Sequence, residues 1–365
     1  MKSILWLTII IGAFAATVVL SQAPPPAAPP PATQRTGPGV QASQDAKEPD
    51  VLKTCKTPPP ARGGGAKGGQ GKAPQGRGPG PAPAAAGPAE YKVTEIPGVV
   101  AAGQQWKEVW QVDGNNADGI IGAKDGGILL AQNDNSAVVK LDKNGKTSVA
   151  YMGLNTSGSV AMNSKGALFV ANRGLNPSIE QLAPQRKTLA NQFNGDPMDC
   201  IGVVLNDITA DSKGGVYFTM GGVFYADPKG VVTRYGQNLN TNGIVLSADE
   251  KHVYVTNGAT LAEFDVEKDG SLTNQREFAK WDSGGGDGTT FDTAGRFYVT
   301  TNAGGVKVIS PEGKFLGSIP SPRPVLSVTF SGADRKMLYA VSRVGDKDWI
   351  IALPMIAQGP KGRAK

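Results

Sequence analysis

From about residue 118 onward the chain repeats one grammar: a short apolar run, a glycine-bearing turn, another short apolar run, four runs to a unit. The units begin near Asp118, Gly158, Asn206, Asn242, Asp287 and Ser327, at intervals of 40, 48, 36, 45 and 40 residues. One unit runs Thr289-Thr290-Phe291, a turn over Asp292-Thr293-Ala294-Gly295, and Arg296 to Thr301. It continues through Ala303-Gly304-Gly305, Val306 to Ile309, Pro311-Glu312-Gly313 and Lys314 to Ile319. Glycine falls where such turns need positive φ. A period of about 40–50 residues with four short strands per unit is the mark of a β-propeller. A sandwich also has short strands, but not six units in this register, and long helical periodicity is missing. The sequence therefore predicts an all-β, six-bladed β-propeller over residues 89–356. The last unit is one strand short. The orphan run Trp106 to Val112, ahead of the first unit, is expected to complete it by pairing with Trp349 to Leu353, which removes an open sheet edge.

The flanks read differently. Residues 1–23 have a lysine at position 2, an uncharged apolar run from Ile4 to Leu20, then the small residues Ser21 and Ala23. This is the pattern of an export signal. Pro24 disfavours cleavage after Ala23, so Val19-Leu20-Ser21 is the better site, and an uncleaved membrane anchor is the alternative. Residues 24–88 alternate Pro24-Pro25-Pro26, Pro58-Pro59-Pro60 and Gly63-Gly64-Gly65 with Ala, Gln, Lys and Arg. They offer too little apolar surface to offset ordering entropy, and read as a disordered linker. Residues 357–365 read as a flexible basic tail. The expected location is periplasmic or secreted, with membrane contact only through the N-terminal segment. The net charge of +6 owes much to linker residues such as Lys67, Lys72 and Arg77, which is solvation rather than a nucleic-acid interface. Cys55 and Cys200 are the only cysteines. In an oxidising compartment they can pair and pin the linker to the propeller, or remain as free or intermolecular thiols.

The first strand of each blade lines the central channel. Four of them start with a side-chain oxygen: Asp118, Asn206, Asn242 and Asp287. Glycine follows three, as Gly119, Gly243 and Gly288, while Asp207 follows Asn206. Singly, each is ordinary at a turn. Equivalent repeat positions, however, place them around one axis. Two carboxylates and two amide carbonyls are hard oxygen donors suited to a divalent ion, Ca²⁺ ahead of Mg²⁺, Mn²⁺ or Zn²⁺. Other chemistries lack their residues. The single histidine, His252, sits in an apparent turn, which excludes a His-rich zinc site. There is no Gly-x-Ser-x-Gly elbow and no Gly-x-x-x-x-Gly-Lys-Ser/Thr loop.

Residues about 105–345 resemble the family of senescence marker protein (regucalcin), gluconolactonase and luciferin-regenerating enzyme. The best stretch is Leu205-Asn206-Asp207-Ile208 through Asp211-Ser212-Lys213-Gly214 to Val216-Tyr217-Phe218-Thr219. Asn242-Gly243 with Val253-Tyr254-Val255, and Asp287-Gly288 with Gly295-Arg296-Phe297-Tyr298-Val299, are similar to the two blades that follow. The resemblance implies a metal-dependent lactone hydrolase. It assigns Asn206, Asn242 and Asp287 to metal binding, with Asp287 also the base. Two departures stand out. Asp118-Gly119 replaces the usual Glu-Gly, one methylene shorter. Met220-Gly221-Gly222 follows Thr219 where the family has an aspartate.

The expected function is hydrolysis of a small sugar lactone or related lactone. The ion would stabilise the developing oxyanion, and Asp287 would take a proton from the attacking water. Arg173 is a candidate for hydrogen bonding to substrate hydroxyls. A non-catalytic, metal-containing binding or sensing propeller is the alternative, because the fold alone does not choose between them.

Overall fold

In every blade an Asx residue tightens the turn between the two innermost strands. In blade 3 the Asp211 carboxylate accepts the amides of Lys213 and Gly215, each at 2.8 Å, and the Tyr225 hydroxyl at 2.7 Å. Asp292 in blade 5 takes the amides of Ala294 and Arg296 and the Tyr298 hydroxyl in the same way. This local chemistry lets short strands reverse at once, and six antiparallel four-stranded sheets result. The computed structural model describes Gly39, residues 41–57, Pro59, residues 92–362 and Lys365.

The innermost strands are Ile120–Gly122, Ser157–Met162, Ile208–Ala210, Thr241–Leu246, Gly286–Phe291 and Val325–Ser331. They fall within three residues of the six starts that the repeat predicts. Valine, isoleucine and aromatic side chains on successive strands fill the space between neighbouring blades. Between blades 1 and 6, for example, Ile120, Ile128 and Leu130 pack with Tyr339, Val341 and Ile350.

The ring closes as the sequence predicts. Lys107–Asp113 pairs antiparallel with Lys347–Pro354, setting Gln111 opposite Trp349, and supplies the fourth strand of blade 6. A buried polar clasp, not foreseen, adds to it. Asp348, on the third strand of blade 6, is fully buried and accepts the backbone amides of Asn116 and Ala117 at 2.8 and 2.7 Å. The Arg343 guanidinium lies 2.6 Å from the other carboxylate oxygen. The clasp ties the last blade to the two residues directly ahead of Asp118.

Two stretches whose composition reads as flexible depart from that reading. Within 24–88, residues 41–57 carry a short 3-10 turn at Ala42–Gln44 and a helix at Glu48–Leu52. A disulfide joins Cys55 to Cys200, with their Cα atoms 5.6 Å apart. Ala42 N donates to the Arg173 carbonyl at 3.0 Å, and Lys56 N to the Asp196 carboxylate at 3.1 Å. A covalent link and backbone bonds to the blades thus supply the order that apolar burial does not. Beyond residue 356 the chain packs too. Ala357 N donates to the Val99 carbonyl at 3.0 Å and Gly359 N to that of Arg335 at 2.9 Å. Lys365 is buried and pairs with Asp207. The proposed export segment, residues 1–23, lies outside the described residues. Among the described residues no helix is long and apolar enough to cross a membrane.

Candidate active site

The glycines behind Asp118, Asn242 and Asp287 are explained by crowding at the axis. A Cβ on Gly119 would lie 2.6 Å from Ser159 Cα, on Gly243 2.1 Å from the Asp287 carbonyl oxygen, and on Gly288 2.8 Å from Ser327 Cα. Only glycine lets neighbouring innermost strands approach this closely. Register shifts sit at the same points, between Ser157 and Ser159, Thr241 and Ile244, Gly286 and Thr289, and Val325 and Ser327. Such bulges re-aim side chains beside a site.

Threonines on the second strands clip these bulged segments together across blades. Thr219 donates to the Asn242 carbonyl, Thr256 to that of Asp287 and Thr300 to that of Leu326. In blade 3 the glycine position is taken by Asp207. Its carboxylate accepts the Ser159 hydroxyl at 2.6 Å and the Ile244 amide at 2.9 Å, bridging blades 2 and 4.

These devices bring Asp118, Asn206, Asn242 and Asp287 to one cavity of about 10 Å³, room for roughly one water; Arg173, Asp207, Ser327 and Lys365 also line it. All four are half-buried. The Asn206 amide donates to Asn242 Oδ1 at 2.7 Å. Asn133 Nδ2 donates to Asp118 Oδ2 at 3.1 Å, and Arg173 pairs with the same oxygen. Arg173 is therefore a buried channel residue. A larger cavity, about 170 Å³, lies at the far ends of the innermost strands, near Gly122, Met162, Phe291 and Ser331. Among the described residues no carboxylate or amide side chain lines it, so it does not offer the chemistry of the smaller one.

His252 is neither in a turn nor near this constellation. It opens the second strand of blade 4, where its Nδ1 lies 3.2 Å from both Glu263 and Asp265.

Burial pushes the Asp287 carboxyl up to about 8, reinforced by the charges of Asp118 and Asp207; Arg173 and Lys365 pull the other way. Without a bound ion, the folded chain thus holds a proton on Asp287 over the range from about 4 to 8, which the unfolded chain has released. Because the folded state binds more protons there, stability falls as pH rises through that window. We expect the melting temperature of ion-free protein to drop between pH 5 and pH 8.5 by clearly more than that of Asp287→Asn. Parallel thermal melts check it; equal slopes for the two proteins would rule it out.

The donor set fits a hard divalent ion: two carboxylates and two amide carbonyls converge, and Ser327 Oγ, buried at the same cavity, has no hydrogen-bond partner among the described residues. Among the described residues, no three His, Cys, Asp or Glu side chains cluster as metal ligands; the amides are what complete the set.

The Lactonase drp35 of Staphylococcus epidermidis is 34% identical over 152 residues, 38% of this chain and 40% of that protein. The match thus spans well under half of the curated relative's length. A gluconolactonase structure from Xanthomonas campestris superposes with a TM-score of 0.59 at 19% identity, covering 72% of this chain and 94% of that one. Regucalcin of Agrobacterium tumefaciens, described as a calcium-binding protein, gives 0.57 at 15% identity, covering 69% and 94%. At these identities the two structures establish the propeller fold. The family model described as SMP-30/gluconolactonase/LRE-like region matches residues 149–343, more than half of the chain, and the chain belongs to that family.

Proposed function

We propose that this protein hydrolyses a small lactone at the channel site, with a divalent ion, Ca²⁺ first among candidates, held by Asp118, Asn206, Asn242 and Asp287. The observation that carries the reading is the convergence of these four side chains, two of them carboxylates, on one cavity. A bound ion supplies Lewis-acid polarisation of the lactone carbonyl and stabilises the oxyanion that develops. The chain's own part is proton transfer. Asp287 takes a proton from water as the water oxygen bonds to the acyl carbon. It returns that proton to the ring oxygen as the ester bond opens, leaving a hydroxy acid. A cavity of about 10 Å³ does not enclose a lactone ring, so the ring stays outside it. The lactonase and gluconolactonase names among the relatives support the reaction class.

The small cavity and the fully engaged Arg173 favour one other reading, a binding or sensing propeller that keeps the ion without turnover. Lactone hydrolysis separates them. A panel of lactones, each read against a protein-free control, should show hydrolysis that chelation abolishes and Ca²⁺ restores. Rates no higher than the control for every lactone would leave the binding reading. Rates indifferent to chelator would remove the ion. Export is part of the proposal. The Ile4 to Leu20 run supports it, and so does the Cys55–Cys200 disulfide, a bond typical of oxidising compartments.

A further inference from the structure

Arg173 follows the second strand of blade 2, Leu168–Asn172, and is only 6% exposed. Its Nε donates to the Leu205 carbonyl at 2.8 Å. Nη2 donates to the Asn206 carbonyl at 2.6 Å and to Asn206 Oδ1 at 2.9 Å. Nη1 pairs with Asp118 Oδ2. Two of the four oxygen donors of the channel thus already hold a cation. The fold has made room for it: a Cβ on Gly158 would lie 1.9 Å from Arg173 Nε. Arg173 also links blade 2 to the start of blade 3, as Thr219, Thr256 and Thr300 link the blades that follow. Neutral threonines make that link three times, so linkage alone does not call for a buried guanidinium. What arginine adds is a positive charge on Asp118 and Asn206.

We propose that Arg173 is a resident counter-cation of the channel, which a divalent ion must displace from Asp118 and Asn206, so that Arg173 sets the affinity of the site. This rests on the reading of the four residues as an ion site. In the ion-free chain the guanidinium offsets the negative charge of Asp118 and part of that of nearby Asp207. On loading, it gives up its side-chain acceptors, and a fixed positive charge remains at close range, which weakens cation binding.

The test is Ca²⁺ titration by calorimetry on the full chain, with thermal melts with and without Ca²⁺, for the parent, Arg173→Met and Gly158→Ala. Arg173→Met removes the charge and keeps a long apolar stem. Gly158→Ala keeps the arginine but forces its guanidinium out of the slot, so it serves if Arg173→Met does not fold. Both variants are expected to bind Ca²⁺ about tenfold or more tightly than the parent. Ca²⁺ should also raise the melting temperature of Arg173→Met more than that of the parent. Binding by the variants with none by the parent also supports the proposal. Folded variants that bind no more tightly than the parent overturn it while leaving the ion site standing. Folded parent and variants that all fail to bind remove the ion site, and the proposal with it.

Discussion

Asp287→Asn is expected to slow lactone hydrolysis by about 10²–10⁴-fold at saturating Ca²⁺, the range typical of losing a positioned general base. The change keeps the size and one oxygen donor, so it isolates basicity from shape. Asp287 is suited to the role because it lines the same cavity as Asp118, Asn206 and Asn242; its carboxyl is pushed up to about 8 in the ion-free chain, and a bound cation lowers it from there. Its position is fixed independently of its own charge: the Asp287 carbonyl accepts from Thr256, and Gly288 packs against Ser327. The fold should therefore survive, which circular dichroism checks. His252→Ala is the control. That side chain faces Glu263 and Asp265 on blade 4, and its loss should leave the rate within about twofold of the parent. A fully active Asp287→Asn beside a dead His252→Ala would require a different mechanism.

The second large effect is on stability. Asp348→Ala should cost about 3–5 kcal/mol, because it leaves Arg343 without its carboxylate and strands the buried amides of Asn116 and Ala117. Burial pushes the Asp348 carboxyl up, while Arg343 beside it and the two amides pull it back; the site is held by this balance. For a domain of this size the loss corresponds to a fall in melting temperature of roughly 10 °C. Asp346→Ala, at an exposed position two residues away, should change stability by no more than about 0.5 kcal/mol. Denaturant melts of the two variants check both figures. Equal stability of Asp348→Ala and the parent would mean that strand pairing alone closes the ring.

Blade starts and the positions of the four oxygen-bearing residues were legible because each is a local pattern repeated at a fixed period; the closing strand was legible from the one strand missing in the last unit. Glycine behind Asp118, Asn242 and Asp287 marked a close approach between strands, although a turn was the ordinary reading. Asp348 left no such trace: its amide partners lie 231 and 232 residues away in the chain. Asp207 interrupts the glycine pattern for a reason visible only in three dimensions, its bridge from Ser159 to Ile244. Arg173 reads from sequence as a candidate for substrate hydroxyls, whereas the structure buries it against Asp118 and Asn206. Its one sequence signal was Gly158, at the start of the neighbouring innermost strand, where the side chain is missing that the arginine replaces. Residues 41–57 are tied to the blades by a cysteine pair 145 positions apart, a pairing the sequence allows but does not by itself select over free thiols. Repeated patterns and a missing strand can be read from sequence, whereas single side chains that bridge distant repeats, such as Asp348 and Asp207, cannot.

The most direct test of the channel site is equilibrium Ca²⁺ binding to the parent, Asp118→Ala, Asn206→Ala, Asn242→Ala and Asp287→Asn. One ion per chain is expected for the parent, with weaker binding in all four variants, Asp118→Ala retaining measurable hydrolysis at high Ca²⁺ because that position has no proton-transfer role. A parent that binds no ion, or four variants that bind it as tightly as the parent does, would contradict the site.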